Sequence, residues 1–326
     1  MQSYNTFEPD IYFLREKEKD EIKRIGTVAG VCILCYVAIQ NLLSFLMLIE
    51  PFKTLYSQSG VFTYSFTIVV SILSLVFPAL IAGKGLEKKT GADVFKFDRP
   101  LNTEYAVYLI VFGMFVCICG NYITSWFETF AQFAGFQLEG GDFNVPSGLY
   151  GRIAYIVAIA VVPPFAEEIA MRGVVMQPLR KYGDGFAIVV TAFVFAVLHG
   201  NLIQAPFAFV CALGIGYAVC ITESLWVGMA IHFINNLYSV IISFAINDLS
   251  EEASDRVYLI LTAVVFLISI FGGIMFFSSK DRPKLQRKAT FLKGNQKFGA
   301  FVLNAAMIVS LIIMLVITSF YVKYTG

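Results

Sequence analysis

Apolar and polar positions fall along this chain in long blocks, not in the alternation of a surface strand or the single stripe of a surface helix. Runs such as "GTVAGVCILCYVAIQNLLSFLML", "YSFTIVVSILSLVFPALIAG" and "VYLILTAVVFLISIFGGIMFF" are apolar on every side. A helix of that kind is buried or crosses a membrane, and roughly 20 such residues span the hydrocarbon. On this basis spans are predicted near 27–49, 61–83, 105–126, 149–174, 186–203, 206–222, 225–246, 257–278 and 299–322. The expected fold is all-α, a polytopic transmembrane bundle of about nine spans. It divides into a cytoplasmic N-terminal segment (1–26), N-terminal helices and loops (27–148), a core of four helices (149–247) and C-terminal helices (248–326).

Composition agrees with this division: 58% of the residues are hydrophobic and only 14% are charged, the latter clustered between the apolar blocks. A soluble domain is not expected, and no internal repeat is visible. The net charge of +1 carries no signal for nucleic acid. The N-terminal stretch is mixed in charge and has no removable signal peptide in its pattern.

Lysine and arginine set the expected orientation. Arg15, Lys17, Lys19, Lys23 and Arg24 precede the first span, Lys84, Lys88, Lys89, Lys96 and Arg99 follow the second, and Arg180 and Lys181 sit in the turn "RKYGDG". The positive-inside rule then puts the N-terminus and that turn in the cytosol of a cell-membrane protein, and an odd span count puts Gly326 outside. The segment 128–148, rich in Gly and aromatic residues, is expected in the outer interface or over an entrance. The six cysteines all fall in apolar runs. Cys32-x-x-Cys35 has neither a second pair nor a neighbouring histidine, so the cysteines read as small apolar-environment residues.

A few residues do not suit lipid. A charged side chain at the bilayer centre costs about 2.5–3.5 kcal/mol on insertion scales, so an ionisable group there is a site candidate. The stretch "PPFAEEIAMRG" carries Glu167, Glu168 and Arg172, "FAVLHGN" carries His199, and "AIHFINN" carries His232 and Asn236; the chain has no other histidine. Neighbours on a helix point about 100° apart, whereas residues four apart share a face. Glu168 and Arg172 are therefore expected to pair as structural support, leaving Glu167 to face the site. Pro163 and Pro164 remove backbone donors just upstream and predict a break with free carbonyls.

Depth is consistent with a meeting of these groups. Glu167 and His199 lie equally far from Gly183 in the turn, up to ~24 Å along their helices, while His232 is ~12 Å beyond Ser224. The polar residues after His199 predict that the fifth span stops short of the far surface, which is tolerated where protein or water surrounds the backbone. A carboxylate, two imidazoles and an amide suit a water nucleophile. Glu167 would act as general base with His199 positioning the water, and His232 and Asn236 would donate to the oxyanion. The same atoms offer a His₂Glu zinc set of Glu167, His199 and His232. Asn236 is a poor zinc ligand and a good donor, which favours the metal-free form; the cofactor reading stays open between none and zinc.

These stretches resemble a known family. "EEIAMR" fits Glu-Glu-x-x-x-Arg, "FAVLH" fits Phe-x-x-x-His and "HFINN" fits His-x-x-x-Asn, the motif set of the CPBP intramembrane proteases, which include CAAX prenyl endopeptidases and bacteriocin-processing and immunity proteins. The resemblance covers roughly 149–245. It implies an intramembrane endopeptidase of glutamate or metalloprotease type with Glu167, His199, His232 and Asn236 catalytic and Glu168 and Arg172 supporting. The implied partners are the lipid bilayer and a membrane-associated peptide or protein. The alternatives are a catalytically idle immunity or binding protein of the same fold, or a proton-coupled transporter, for which the inverted repeat of interrupted helices is missing.

Overall fold

The computed structural model describes residues 10–141 and 144–325; Gly326, expected on the outer side, lies outside the described residues. Among the described residues, ten helices form the bundle. They are α1 (Ile11–Leu48), α2 (Gly60–Thr90), α3 (Thr103–Phe133), α4 (Leu149–Tyr182), α5 (Asp184–Leu198), α6 (Gln204–Thr222), α7 (Leu225–Asp248), α8 (Glu251–Ser278), α9 (Gly294–Val302) and α10 (Ala305–Ser319). A short helix, Phe52–Gln58, lies between α1 and α2. The only sheet among the described residues pairs β1 (Phe136–Leu138) antiparallel with β2 (Val322–Tyr324). The all-α polytopic architecture expected from the apolar blocks is the one observed.

The span count differs from the expected nine. Among the described residues, seven helices are long and apolar enough to cross a membrane, or eight if α9 and α10 together make one crossing. Helix α5 has 15 residues, about 22 Å, too short for a ~30 Å hydrocarbon core. The run expected as one span over 299–322 is bent by 79° between α9 and α10. Asn304 makes that corner: its Oδ1 accepts from the Met307 amide at 3.0 Å, capping α10, and its Nδ2 donates to the Phe301 carbonyl at 2.8 Å. The corner fits against α1 only because Gly26 and Gly30 lack side chains. A Cβ on Gly26 would lie 2.0 Å from the Phe301 oxygen, and one on Gly30 would lie 2.5 Å from the Met307 nitrogen. This is the small-residue spacing by which membrane helices approach closely.

The charged stretch before the first apolar run is helical from Ile11 and belongs to the bundle. Asp10 caps it, accepting from the Tyr12 amide at 3.0 Å. The Glu18 carboxylate accepts from the amides of Phe291 (2.9 Å) and Leu292 (3.3 Å), and Glu21 accepts from Lys181 and from the Tyr182 hydroxyl. Asp184 accepts from the Gln286 amide at 2.7 Å, and Lys297 donates to the Tyr182 carbonyl at 3.0 Å. Thus the start of α1, the α4–α5 turn and the basic segment before α9 are tied together at one end. Glu223, between α6 and α7, joins them by pairing with Arg180 and Lys96.

At the other end, Arg152 holds Asp248 through two 2.6 Å bonds, and Tyr64 donates to the Asn144 carbonyl. The C-terminal strand β2 is pinned there by β1, which follows α3 directly. Seven crossings keep the parity expected from nine, and eight reverse it. The strand pairing nonetheless puts the C-terminal residues at the end away from the start of α1. The described residues of the expected outer segment 128–148 are divided among the last turns of α3, β1 and a loop. Gly140 of that loop lies beside Ile203, in the turn that follows α5.

Candidate active site

Helix α4 is not a uniform α-helix. Its turns widen to i→i+5 bonding over Val157–Val161 and again over Ile169–Met176, with the regular segment Val162–Glu168 between them. Wide turns of this sort are frequent at functional sites. The two prolines account for the first. Pro163 and Pro164 stand four and five residues after Ile159, so neither the α-type nor the π-type donor exists for the Ile159 carbonyl. That carbonyl is satisfied from α7 instead, by Asn236 Nδ2 at 3.0 Å. Asn235 Nδ2 in turn donates to Asn236 Oδ1 at 3.2 Å, fixing which way the amide points.

Glu168 and Arg172 form the expected ion pair, Nη1 to Oε1 at 2.8 Å, and both side chains are wholly buried. Glu167 differs: its side chain keeps 18% of its surface and lines a cavity. The same Glu168 oxygen also accepts from His232 Nδ1 at 3.0 Å, a contact that the motif spacing does not disclose. The other Glu168 oxygen sits against Gly228, where a Cβ would be 3.0 Å away. Gly228 is one turn before His232 on α7, so the space it leaves lets the carboxylate reach the imidazole. The Arg172 guanidinium lies 5.0 Å from the centre of the Phe195 ring, within cation–π reach.

His199 is the residue after α5 ends. Gly200, at φ +65°, turns the chain out of the helix, and its amide bonds the Val197 carbonyl at 3.1 Å. Asn201 then holds the reversal, donating to the His199 carbonyl at 3.2 Å and accepting from the Gln204 amide at 2.8 Å as α6 begins. Gly200 and Asn201 are buried, so this irregular backbone is covered by protein. His199 Nδ1 is 2.8 Å from the Phe195 carbonyl. The Phe195 ring packs edge-on against both histidines, at 4.7 Å from His199 and 6.0 Å from His232.

These contacts fix the imidazole tautomers. A carbonyl and a carboxylate only accept, so Nδ1 carries the proton in both rings and Nε2 is left for the cavity. His232 Nε2 lies 3.8 Å from Glu167 Oε2. Glu167, His199, His232 and Asn236 all line one cavity of about 370 Å³, together with Tyr36, Gln204, Asn235 and Ser239. Cys117 and Cys211 also line it, a position their place in apolar runs did not single out. Tyr36 comes from α1, far outside the motif region, and no pattern in the sequence marks it. Asn235 adjoins Asn236 and Gln204 follows His199 by five residues, and their polarity beside apolar runs was the available signal.

Each imidazole has its Nδ1–H bound by an acceptor, the arrangement typical of metal ligands, and a carboxylate stands beside them. The donor types therefore suit zinc. Among the described residues, however, no three His, Cys, Asp or Glu side chains stand at metal-holding spacing.

A model of the family described as "Type II CAAX prenyl endopeptidase Rce1-like" matches residues 150–238, which contain every motif residue of the cavity. The match supports the CPBP/CAAX protease family and, at family level, a CAAX-type intramembrane protease. It covers α4 to the middle of α7, less than a third of the chain. No curated protein and no solved structure matches the chain.

Proposed function

We propose that this protein is an intramembrane endopeptidase that hydrolyses a peptide bond of a membrane-associated peptide or protein, with a water molecule activated by Glu167. The observation that carries the reading is that both histidines have Nδ1 engaged, so two Nε2 atoms are presented to a cavity shared with the Glu167 carboxylate. Glu167 takes a proton from water as the oxygen attacks the scissile carbonyl carbon, and His199 Nε2 accepts the water's second hydrogen bond and orients it. Glu167 then passes its proton to the leaving amine as the C–N bond breaks, giving a carboxylic acid and an amine.

The oxyanion formed between these steps needs donors. Asn236 has one Nδ2 hydrogen committed to Ile159 and one left over. His232 also faces the cavity, and its Nε2 can donate only while the ring carries both protons. A fixed donor of this kind is worth about 2.7–4 kcal/mol to the transition state. The basic end of the bundle, with the start of α1 and the α4–α5 turn, faces the cytosol in this reading.

The test is cleavage of a panel of membrane-anchored peptides by the purified protein in liposomes. Wild type yields defined products, and Glu167→Ala and His199→Ala yield none. Full turnover by Glu167→Ala would refute the enzyme reading.

A further inference from the structure

A second cavity, of about 440 Å³, runs as a groove between α1 and α2, away from the active site. The helices are antiparallel there, so Arg24 and Lys89 lie together at one end and Ile39 and Phe77 at the other. Between them the walls are apolar: Val31 and Cys35 on α1, Ile81 and Leu86 on α2. Gly85 faces open space, with nothing within 4 Å of where a Cβ would stand, and so widens the groove. Helix α1 buries little of its apolar length inside the protein, and the groove opens on that outward side.

Length and charge decide what fits. From Arg24 to Ile39 is 15 residues and from Lys89 to Phe77 is 12, which gives ~18–22 Å along the helices. That is about half of a ~40–45 Å bilayer with its headgroups, one leaflet. Both cations are exposed, and among the described residues neither has an ion-pair partner. Among the described residues, no acidic side chain lines the groove. Glu87, the nearest carboxylate on α2, is turned to the following segment, where it accepts from the Val94 amide. An apolar trough one leaflet long, closed at the headgroup level by two unpaired cations, matches one class of molecule.

We infer that this groove binds one anionic phospholipid, its phosphate between Arg24 and Lys89 and an acyl chain along Val31, Cys35 and Ile81. The inference is independent of the catalytic reading and holds whether or not Glu167 is a base. Basic side chains at such a level select anionic lipid, each contributing in proportion to its proximity to the headgroup.

Native mass spectrometry of the full chain, released from micelles doped with equal phosphatidylglycerol and phosphatidylcholine, tests it. Wild type retains one phosphatidylglycerol in ~10–30-fold preference to phosphatidylcholine, the selectivity that two basic side chains confer. The double variant Arg24→Gln/Lys89→Gln loses the preference. Gly85→Leu, which keeps both cations and enters open space in a helix, loses retention of both lipids. Equal retention of the two lipids by wild type overturns the inference. So does unchanged retention in Gly85→Leu, or a lipid-free dimer closed over the groove.

Discussion

Asn236 on α7 donates through Nδ2 to the carbonyl of Ile159 on α4, at 3.0 Å, and that carbonyl is free because Pro163 and Pro164 occupy both positions that could have bonded it within the helix. The proline pair thus creates an acceptor that orients a candidate oxyanion donor. Asn236→Ala is expected to lower turnover by ~10²–10³ and to cost about 0.5–1.5 kcal/mol of stability, because a half-buried acceptor loses its partner. Adding Pro163→Ala returns an amide donor to Ile159. The double variant recovers thermal stability in detergent but not turnover; recovery of both would make Asn236 purely structural.

Glu167 and Glu168 are adjacent in sequence yet stand in opposite environments. Glu168→Gln removes the charge that compensates a fully buried Arg172 and an imidazole, so a loss of about 3–5 kcal/mol is expected. Glu167→Gln leaves that network intact. Unfolding midpoints of the two variants, measured side by side, separate the roles. Equal destabilisation would mean that Glu167 also belongs to the structural network.

The network at the basic end has a pH signature. Burial would raise the Glu223 carboxyl, but hydrogen bonds from Arg180 and Lys96 outweigh burial and hold it below its ordinary value near 4.5. A carboxylate lowered in the folded state contributes stability that is present above that ordinary value and is lost as pH falls through the folded one. Wild type is therefore expected to exceed Glu223→Gln in stability at pH 7, with the gap closing below about pH 4.5. A gap that stays constant from pH 7 to pH 3 would show that the pair is not what the acid removes.

The proposed activation of water by Glu167 takes no metal ion. With no three ligands gathered at metal distance, turnover is expected to survive exhaustive chelation, and the purified protein to hold less than stoichiometric zinc by elemental analysis. Activity lost to a chelator and restored by zinc would require Glu167, His199 and His232 to close on an ion.

Much of this was legible in the chain. The apolar blocks disclosed the helical class, and the Glu168–Arg172 spacing disclosed their pairing, because both depend on local periodicity. The equal distances of Glu167 and His199 from Gly183 placed them on one cavity because a tight turn forces antiparallel neighbours. Three features were not legible. The break at Asn304 rests on one polar residue inside an apolar run, and its meaning depends on Gly26 and Gly30 nearly 280 residues away in sequence. The His232–Glu168 bond depends on the gap left by Gly228, which is a packing fact with no periodic signature. Tyr36 reaches the cavity by tertiary packing of α1 alone.

The central claim is that Glu167 activates the water. The measurement that addresses it most directly is the single-turnover cleavage rate of a membrane-anchored peptide by wild type and Glu167→Gln in the same liposomes, with the unfolding midpoint of each recorded. The account predicts a rate loss of at least ~10²–10⁴, the range of a lost general base, with the midpoint unchanged. A Glu167→Gln protein that folds normally and cleaves at the wild-type rate would contradict it.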